Sequence, residues 1–512
     1  MRRSGVIALG LVGLALALRL VLALALPNDE PDDGRVYAQL AHNLLAHGVY
    51  SVEEEAPFDP TFVRVPGYPI FLAVVYRAFG DGNNTAVRIA EAMVDTLTCG
   101  LVASLAAVWA PRRWSVQRRR RAAIIALGLA AVCPFVAVYV TTILTETLAT
   151  ALGTLVLLAG SLAVRRHAAD DGLLSAWLPS ATWLWAAAGL AGGAMTMVRP
   201  ESGLYVGAVG VLLLATSWPS GTRPIAEGLR RSWRAVLGGG LALSLGFGAV
   251  IAPWTIRNAI VFGRFEPLNP RSLSMPGEFV AWGYAAWLRS WIDHPRYVGP
   301  MLFALDRDPI SIDQVPARAF DSADERAEVA ALFRKYSTPA LNAEHDESGH
   351  VLPGGMTPDL DAAFGAIAVA RAARDPVRQY LVLPVKRAIM LWFDPHADYY
   401  PFAGSLFPWS ALDADRDQQF WLPLFTGLTL WWTVAGWAGV TRLWQSADSR
   451  RWLLLVALVI VPRLVLLASL ENPEPRYTME FFPLLSALAG CALAWERSPR
   501  AAGGDPFRTV RR

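Results

Sequence analysis

Apolar residues gather along the chain into long runs, roughly 5–26, 86–110, 122–140, 142–164, 182–198, 202–217, 235–253, 421–443, 451–470 and 478–495. Each lies near the ~20 residues that an α-helix needs to cross the hydrocarbon core of a bilayer. The pattern predicts an all-α polytopic membrane protein of about ten transmembrane helices. Two longer stretches between the runs are more polar. In 27–85, Val36, Leu40 and Leu44 fall on one helical stripe with Tyr37, Ala41 and Leu45 beside it, which predicts a short interfacial helix stopping at Gly48. The prolines and glycine of Arg64-Val-Pro-Gly-Tyr-Pro69 then fix a turn, and Ile70 to Phe79 resumes an apolar helical pattern. In 254–420, Asp321 to Glu328 reads as a solvated helix and 342–358 as loop, while 375–393 is apolar enough to lie along or dip into the membrane.

Arginine placement orients the chain, because basic residues near span ends are retained on the cytoplasmic side. Arg2, Arg3, Arg112, Arg113, Arg118 to Arg121, Arg165, Arg166, Arg223, Arg230, Arg231, Arg234, Arg450, Arg451 and the tail all fall on one face. Both termini are expected inside, and 27–85 and 254–420 form the other, extracytoplasmic face.

Composition narrows the function classes. With 54% hydrophobic residues and 20 Trp, the chain does not read as a soluble enzyme. A formal net charge of +3 is too small for a nucleic-acid surface, and the basic residues are accounted for by topology. The first run lacks a small-residue cleavage site and is expected to stay as a helix. Cys99, Cys133 and Cys491 fall inside apolar runs as packing residues, not as a disulfide or metal framework. Only Lys335 and Lys386 are lysines, a bias expected of a GC-rich genome and hence of a bacterial inner membrane. No Walker-type loop or Rossmann fingerprint occurs, so a nucleotide-linked substrate is not expected.

The polar residues against this background carry the candidate chemistry. Asp32 and Asp33 follow the first run directly, where they act either as helix caps or as a carboxylate pair at the membrane surface. Glu146 lies in an otherwise uncharged stretch, where an ionised side chain costs about 2.5–3.5 kcal/mol at mid-span. It is either a second acidic group of an outer cavity or a glutamate paired with an arginine. Arg64, Arg199, Arg257 and Arg476 fall on the outer face against the positive-inside trend, and a planar guanidinium suits a lipid phosphate. Arg257 and Arg476 are the preferred phosphate ligands, although Arg257 also fits an arginine snorkelling from a span that ends near Pro253. His42, His47, His294, His345, His350 and His396 lack metal-ligand spacing. No cofactor is fixed by these residues; a divalent metal ion, if one is used, would draw on Asp32, Asp33 or Glu146.

Several motifs share one order and spacing: Asp33-Gly-Arg-Val-Tyr37, Gly48-Val-Tyr-Ser51, Arg64-Val-Pro-Gly-Tyr-Pro69, Thr145-Glu146, Arg199-Pro200, Pro253-Trp254 with Arg257-Asn258, and Arg476-Tyr477. In this the chain resembles the C-type glycosyltransferases, in the branch of protein O-mannosyltransferases and lipid A aminoarabinose transferases, from residue 1 to about 495 but weakly between 270 and 420. The resemblance implies transfer of a sugar from a polyprenyl-phosphate donor to an acceptor glycan, lipid or protein at the outer face. It implies that Asp33, four residues before Tyr37, is the general base, with Asp32 a helper and Glu146 a second acidic group. Tyr37, Tyr68, Trp254 and Tyr477 are then expected at the substrate cavity, with Trp254 and Tyr477 also open to an interfacial-belt role. It divides the chain into 1–253, a membrane module holding the catalytic first outer loop; 254–420, an extracytoplasmic segment shaping the acceptor site, with Asp394 to Pro401 capping the cavity; and 421–512, membrane helices and a basic tail. The rival class is a transporter or flippase. Against it, the chain shows no repeated halves and its polar motifs cluster at one face.

Overall fold

The computed structural model describes residues 2–28, 32–167, 180–217, 225–270, 272, 274–338, 354–407, 409 and 416–494. Arg223, His345, His350 and the basic tail lie outside the described residues. The helices in chain order are α1 (Arg2–Ala25), α2 (Asp32–Ala46), α3 (Gly67–Phe79), α4 (Asn84–Trp109), α5 (Val116–Ala131), α6 (Pro134–Ala137), α7 (Glu146–His167), α8 (Ala181–Val198) and α9 (Gly203–Ser217). There follow α10 (Ile225–Phe262), α11 (Trp282–Arg289), α12 (Ala323–Ser337), α13 (Pro358–Arg374), α14 (Leu383–Phe393), α15 (Arg416–Trp444), α16 (Arg450–Ala468) and α17 (Phe482–Leu493). No strand occurs among the described residues, and the chain is an all-α polytopic integral membrane protein.

A helix stands at each of the ten predicted runs, but they are not equal. Six are long and apolar enough to cross a membrane: α1, α4, α7, α8, α10 and α16. A seventh candidate, α5 with the Pro134–Thr141 segment, is bent by 49°. α9 and α17 have 15 and 12 residues, and α15, with 29, is rich in Trp and broken in pattern by Pro423. The span predicted to end at Pro253 instead runs on to Phe262, so Arg257 and Asn258 stand on a helix.

The bend has a definite chemical partner. α5 stops at Ala131, leaving carbonyls that a continued helix would have bonded. Arg19 of α1, fully buried, donates to the Ala130 carbonyl at 2.9 Å and to that of Ala131, and its Nε meets Asp95 of α4 at 2.8 Å. The one charge inside the first run thus caps a broken helix while Asp95 compensates it.

Close packing is set by small residues, as expected where lipid offers no hydrophobic drive between helices. At Gly189 of α8 an added Cβ would stand 2.1 Å from the Leu243 carbonyl oxygen of α10, and at Gly246 it would stand 2.4 Å from that of Ala186. The two glycines face opposite helices and let their backbones touch. Gly439 does the same for α15 against α17, 2.2 Å from Leu488.

Outside this body, α11, α12 and α13 enclose their own core of Tyr284, Trp287, Trp291, Phe333, Tyr336 and Phe364. α12 covers the stretch read as a solvated helix, with Ser322 accepting from the Glu325 amide as N-cap. In the first polar stretch, α2 begins earlier than expected. Asp32 and Asp33 form its first turn rather than preceding it, where the helix dipole favours negative charge. Gly48, at φ +69°, turns the chain, and Asn43 ties the descending strand of loop by donating to Ser51 and Glu53 carbonyls at 2.9 and 2.7 Å. Gly67 then lets α3 approach α8, since a Cβ there would lie 2.4 Å from the Met197 carbonyl oxygen.

Candidate active site

The start of α2 and the turn before α3 bring Asp33 and Arg64 together. One Asp33 oxygen accepts from Arg64 at 2.7 Å, and the other lies 3.8 Å from Arg476. The carboxylate remains 37% exposed, so one side of it stays accessible. One helical turn further along, Tyr37 places its ring 6.0 Å under the Arg64 guanidinium and edge-on to Tyr68 at 5.3 Å. Tyr68 in turn donates to Glu91 at 2.7 Å.

Asp32 points elsewhere. It pairs with Arg307 at 2.5 Å and Arg35 at 3.5 Å, and the Arg307 hydrogen bond holds its carboxyl below the ordinary value. The adjacent aspartates are therefore divided: Asp33 faces the arginine cluster and Asp32 ties α2 to the turn that carries Arg307.

Behind Asp33 lies a buried ion network. Glu146, at the first position of α7, meets Arg199 at 3.0 Å, so the pairing reading of Glu146 describes its contacts. Arg199 also reaches Glu201 at 2.9 Å and Glu480 at 3.7 Å. Arg463 of α16 closes the ring with Glu480 at 2.8 Å, Glu201 at 3.6 Å and Ser202 at 3.3 Å. Burial would raise the Glu201 carboxyl, but Arg199 and Arg463 bring it down to about 2. Arg476 is clamped by Glu474 through its Nε, and Tyr477 sits between two guanidiniums, 5.4 Å from Arg199 and 5.1 Å from Arg476. Tyr477 thus stands among the charged groups of the cluster.

The segment 394–401 packs beside the cluster. Asn28 donates to the Tyr399 carbonyl at 2.9 Å, Tyr399 meets Tyr139 edge-on at 5.7 Å, and His396 bonds Thr478 at 2.9 Å. Burial, reinforced by Glu474 and opposed by Arg476, pushes the Asp398 carboxyl up to about 6.

Arg257 stands apart from these groups. It donates to the Thr61 carbonyl at 2.7 Å and to Asn258 at 2.9 Å, and is ringed by Trp254, Phe262 and Tyr50 at 5.0 to 5.7 Å. Among the described residues no carboxylate pairs with it. It lines, with Trp254, Tyr50, Pro66, Leu148 and Val198, an apolar cavity of about 820 Å³. The cavity and the cluster share one wall: Pro66, Leu148 and Val198 lie within two positions of Arg64, Glu146 and Arg199, and Tyr50 donates to the Arg64 carbonyl at 3.1 Å.

Sequence reasoning missed Glu201, Arg463, Glu474, Glu480 and Asp398. Arg463 and Glu480 carried a signal, since both fall inside apolar runs where charge marks function. Among the described residues no three His, Cys, Asp or Glu side chains gather as a metal site. Asp32, Asp33 and Glu146 are each bound by arginine instead, and do not fit a shared ion.

No family model matches the chain, and no curated protein sequence matches it. Several solved structures are similar. The oligosaccharyltransferase of Archaeoglobus fulgidus, tethered with an acceptor peptide containing the NVT sequon, gives a TM-score of 0.48 at 14% identity over 95% of this chain and 49% of that one. AglB from the same organism, in complex with an inhibitory peptide and a dolichol-phosphate, gives 0.45 at 13% over 95% and 50%. ArnT from Cupriavidus metallidurans, bound to undecaprenyl phosphate, gives 0.37 at 16% over 94% and 77%. The chain spans about half the length of the two archaeal structures.

Proposed function

We propose that this chain is a glycosyltransferase that moves a sugar from a polyprenyl-phosphate donor to an acceptor hydroxyl or related nucleophile at the outer face of a plasma membrane. The observation that carries this reading is the shared wall between a large apolar cavity and a carboxylate–arginine cluster. A polyprenyl chain needs an apolar cavity of that kind, its phosphate needs guanidinium donors, and the attacking nucleophile needs a base beside them. In the reaction, the acceptor oxygen forms a bond to the anomeric carbon and gives its proton to Asp33. The carbon–oxygen bond to phosphate breaks with its electron pair, leaving a polyprenyl phosphate whose added charge Arg64 and Arg476 stabilise. Both arginines already contact Asp33, so a phosphate entering between them would share them with the base. Arg257, at the cavity wall, serves the lipid end of the donor. Glu146, Arg199, Glu201, Arg463 and Glu480 form a rigid charged backing that holds Tyr477 against the site, and 394–401 keeps water out from above.

The test supplies the full-length protein in reconstituted vesicles with a polyprenyl phosphate bearing a radiolabelled hexose or pentose, together with an envelope extract as acceptor. Wild type transfers label, and Asp33→Asn inserts equally but transfers ~10²–10⁴-fold less, the range of a lost general base. Undiminished transfer by Asp33→Asn would remove the base assignment. Solute movement across the vesicle without any transfer would replace the whole reading by transport. An Arg476→Ala protein that binds the donor as tightly as wild type would remove the phosphate role of Arg476.

A further inference from the structure

A second basic site lies away from the cluster just described. Between the turn at 293–297, Arg318 and α14 is a pocket of about 340 Å³ whose rim carries Arg296, Arg318 and Lys386. Asp293 is the carboxylate that serves them, 2.7 Å from Arg318 and 3.8 Å from Lys386. Among the described residues Arg296 pairs with no carboxylate. The adjoining arginines differ in this respect: Arg374 and Arg378 each contact a carboxylate, sharing Asp321 at 3.3 and 2.9 Å. Tyr297 holds the pocket arginines side by side, its ring 4.6 Å from the Arg296 guanidinium and 5.1 Å from that of Arg318, and its hydroxyl accepts from both. Burial holds the His294 imidazole below its ordinary value, so the positive charge comes from the three cations.

The remaining wall is apolar. Ile389, Met390 and Phe407 line it, and Ile389 belongs to an exposed stripe of α14 formed with Val385 and Phe393, each 39–51% exposed. The spacing of four residues puts these on one helix face, and Lys386 stands at its edge. A cluster of cations with excess charge bordering an exposed apolar stripe in an integral membrane protein selects an amphiphile with an anionic head.

We infer that this pocket binds the phosphate of an anionic phospholipid, whose acyl chains lie along the α14 stripe, fixing the outer lobe at the bilayer surface. The inference is independent of the glycosyl-transfer reading. Native mass spectrometry of the delipidated full-length protein tests it, with phosphatidylglycerol and phosphatidylcholine as probes and inorganic phosphate as competitor. Phosphatidylglycerol should bind in preference to phosphatidylcholine and resist inorganic phosphate at equal concentration. The R296Q/K386Q protein should lose about thirtyfold in affinity, as two headgroup contacts predict, and K386Q alone about fivefold. Both side chains are exposed, and R296K/K386R, which keeps the charge, should bind as wild type does. Unchanged binding by R296Q/K386Q and K386Q would overturn the inference. Displacement by inorganic phosphate would overturn the lipid assignment in favour of a simple anion site.

Discussion

At the residue scale, the two aspartates show how far local sequence reaches. Asp33 and Arg64 were legible as a pair because both sit in short motifs whose turn chemistry brings them together, and it is the family resemblance of Asp33-Gly-Arg-Val-Tyr37 that singles out Asp33 over Asp32. Arg199 was legible as a phosphate candidate, but its remote contacts were not, since Glu146 and Glu480 come from two distant segments joined only by helix packing, while Glu201 is its neighbour in the same turn. Glu480 keeps Arg463, but the Glu146 side chain, only 3% exposed, pairs with Arg199, so Arg199→Met leaves a buried carboxylate uncompensated. It should destabilise the detergent-solubilised protein by about 3–5 kcal/mol, read as a fall in thermal midpoint, with Arg199→Lys recovering part of it. A second expectation concerns pH. Burial, partly offset by the Ser405 hydroxyl donating at 2.7 Å, pushes the Asp394 carboxyl up to about 7 from an unfolded value near 3.8. Between those values the folded chain keeps a proton that the unfolded chain has lost, so this group's stabilising contribution is full at low pH and disappears as pH rises through the window. The thermal midpoint of Asp394→Asn should therefore fall less than that of wild type between pH 4 and 7, with Asp398 supplying a remaining slope in the same direction up to about 6.

At the element scale, hydrophobic runs located the long apolar helices, because lipid demands length and apolarity and little else. They did not show where a helix bends or how deeply it crosses, since those depend on partners. The 235–253 run was cut at Pro253 on local grammar, yet α10 continues to Phe262 and carries Arg257 on its far end. Hence Arg257 and Arg476, grouped by outer-face position, fall on different sides of the 61–66 turn. Helix contacts give a sharper test. Gly189→Leu would drive a side chain into the Leu243 backbone and should part α8 from α10, whereas Gly240→Leu, on the same α10 with nothing within 4 Å, should be accepted. Thermal midpoints of the two variants in one detergent make the comparison, and equal losses would refute the packing role.

At the scale of the whole molecule, the arginine asymmetry predicted one face for the loops and another for the termini. Glu328→Cys on α12 should react with an impermeant maleimide in intact cells, and Gln117→Cys on α5 only after permeabilisation; both positions are exposed. The native Cys99, Cys133 and Cys491, all buried and free, supply a silent background. What the sequence could not convey at this scale is the outer lobe, whose core of Trp, Tyr and Phe assembles from α11, α12 and α13 without a run long enough to announce itself.

The Arg19 cap has a consequence in time. A backbone break inside lipid is tolerable only when its open carbonyls are met by other groups. Arg19 is synthesised and inserted more than a hundred residues before Ala130 and Ala131, and Asp95 joins it in between. The donor thus waits in the membrane before the acceptors arrive, so the order of translation itself spares α5 an interval of unmet hydrogen bonds. A chain permuted to place α1 last should insert slowly and be degraded faster even if its final packing were the same.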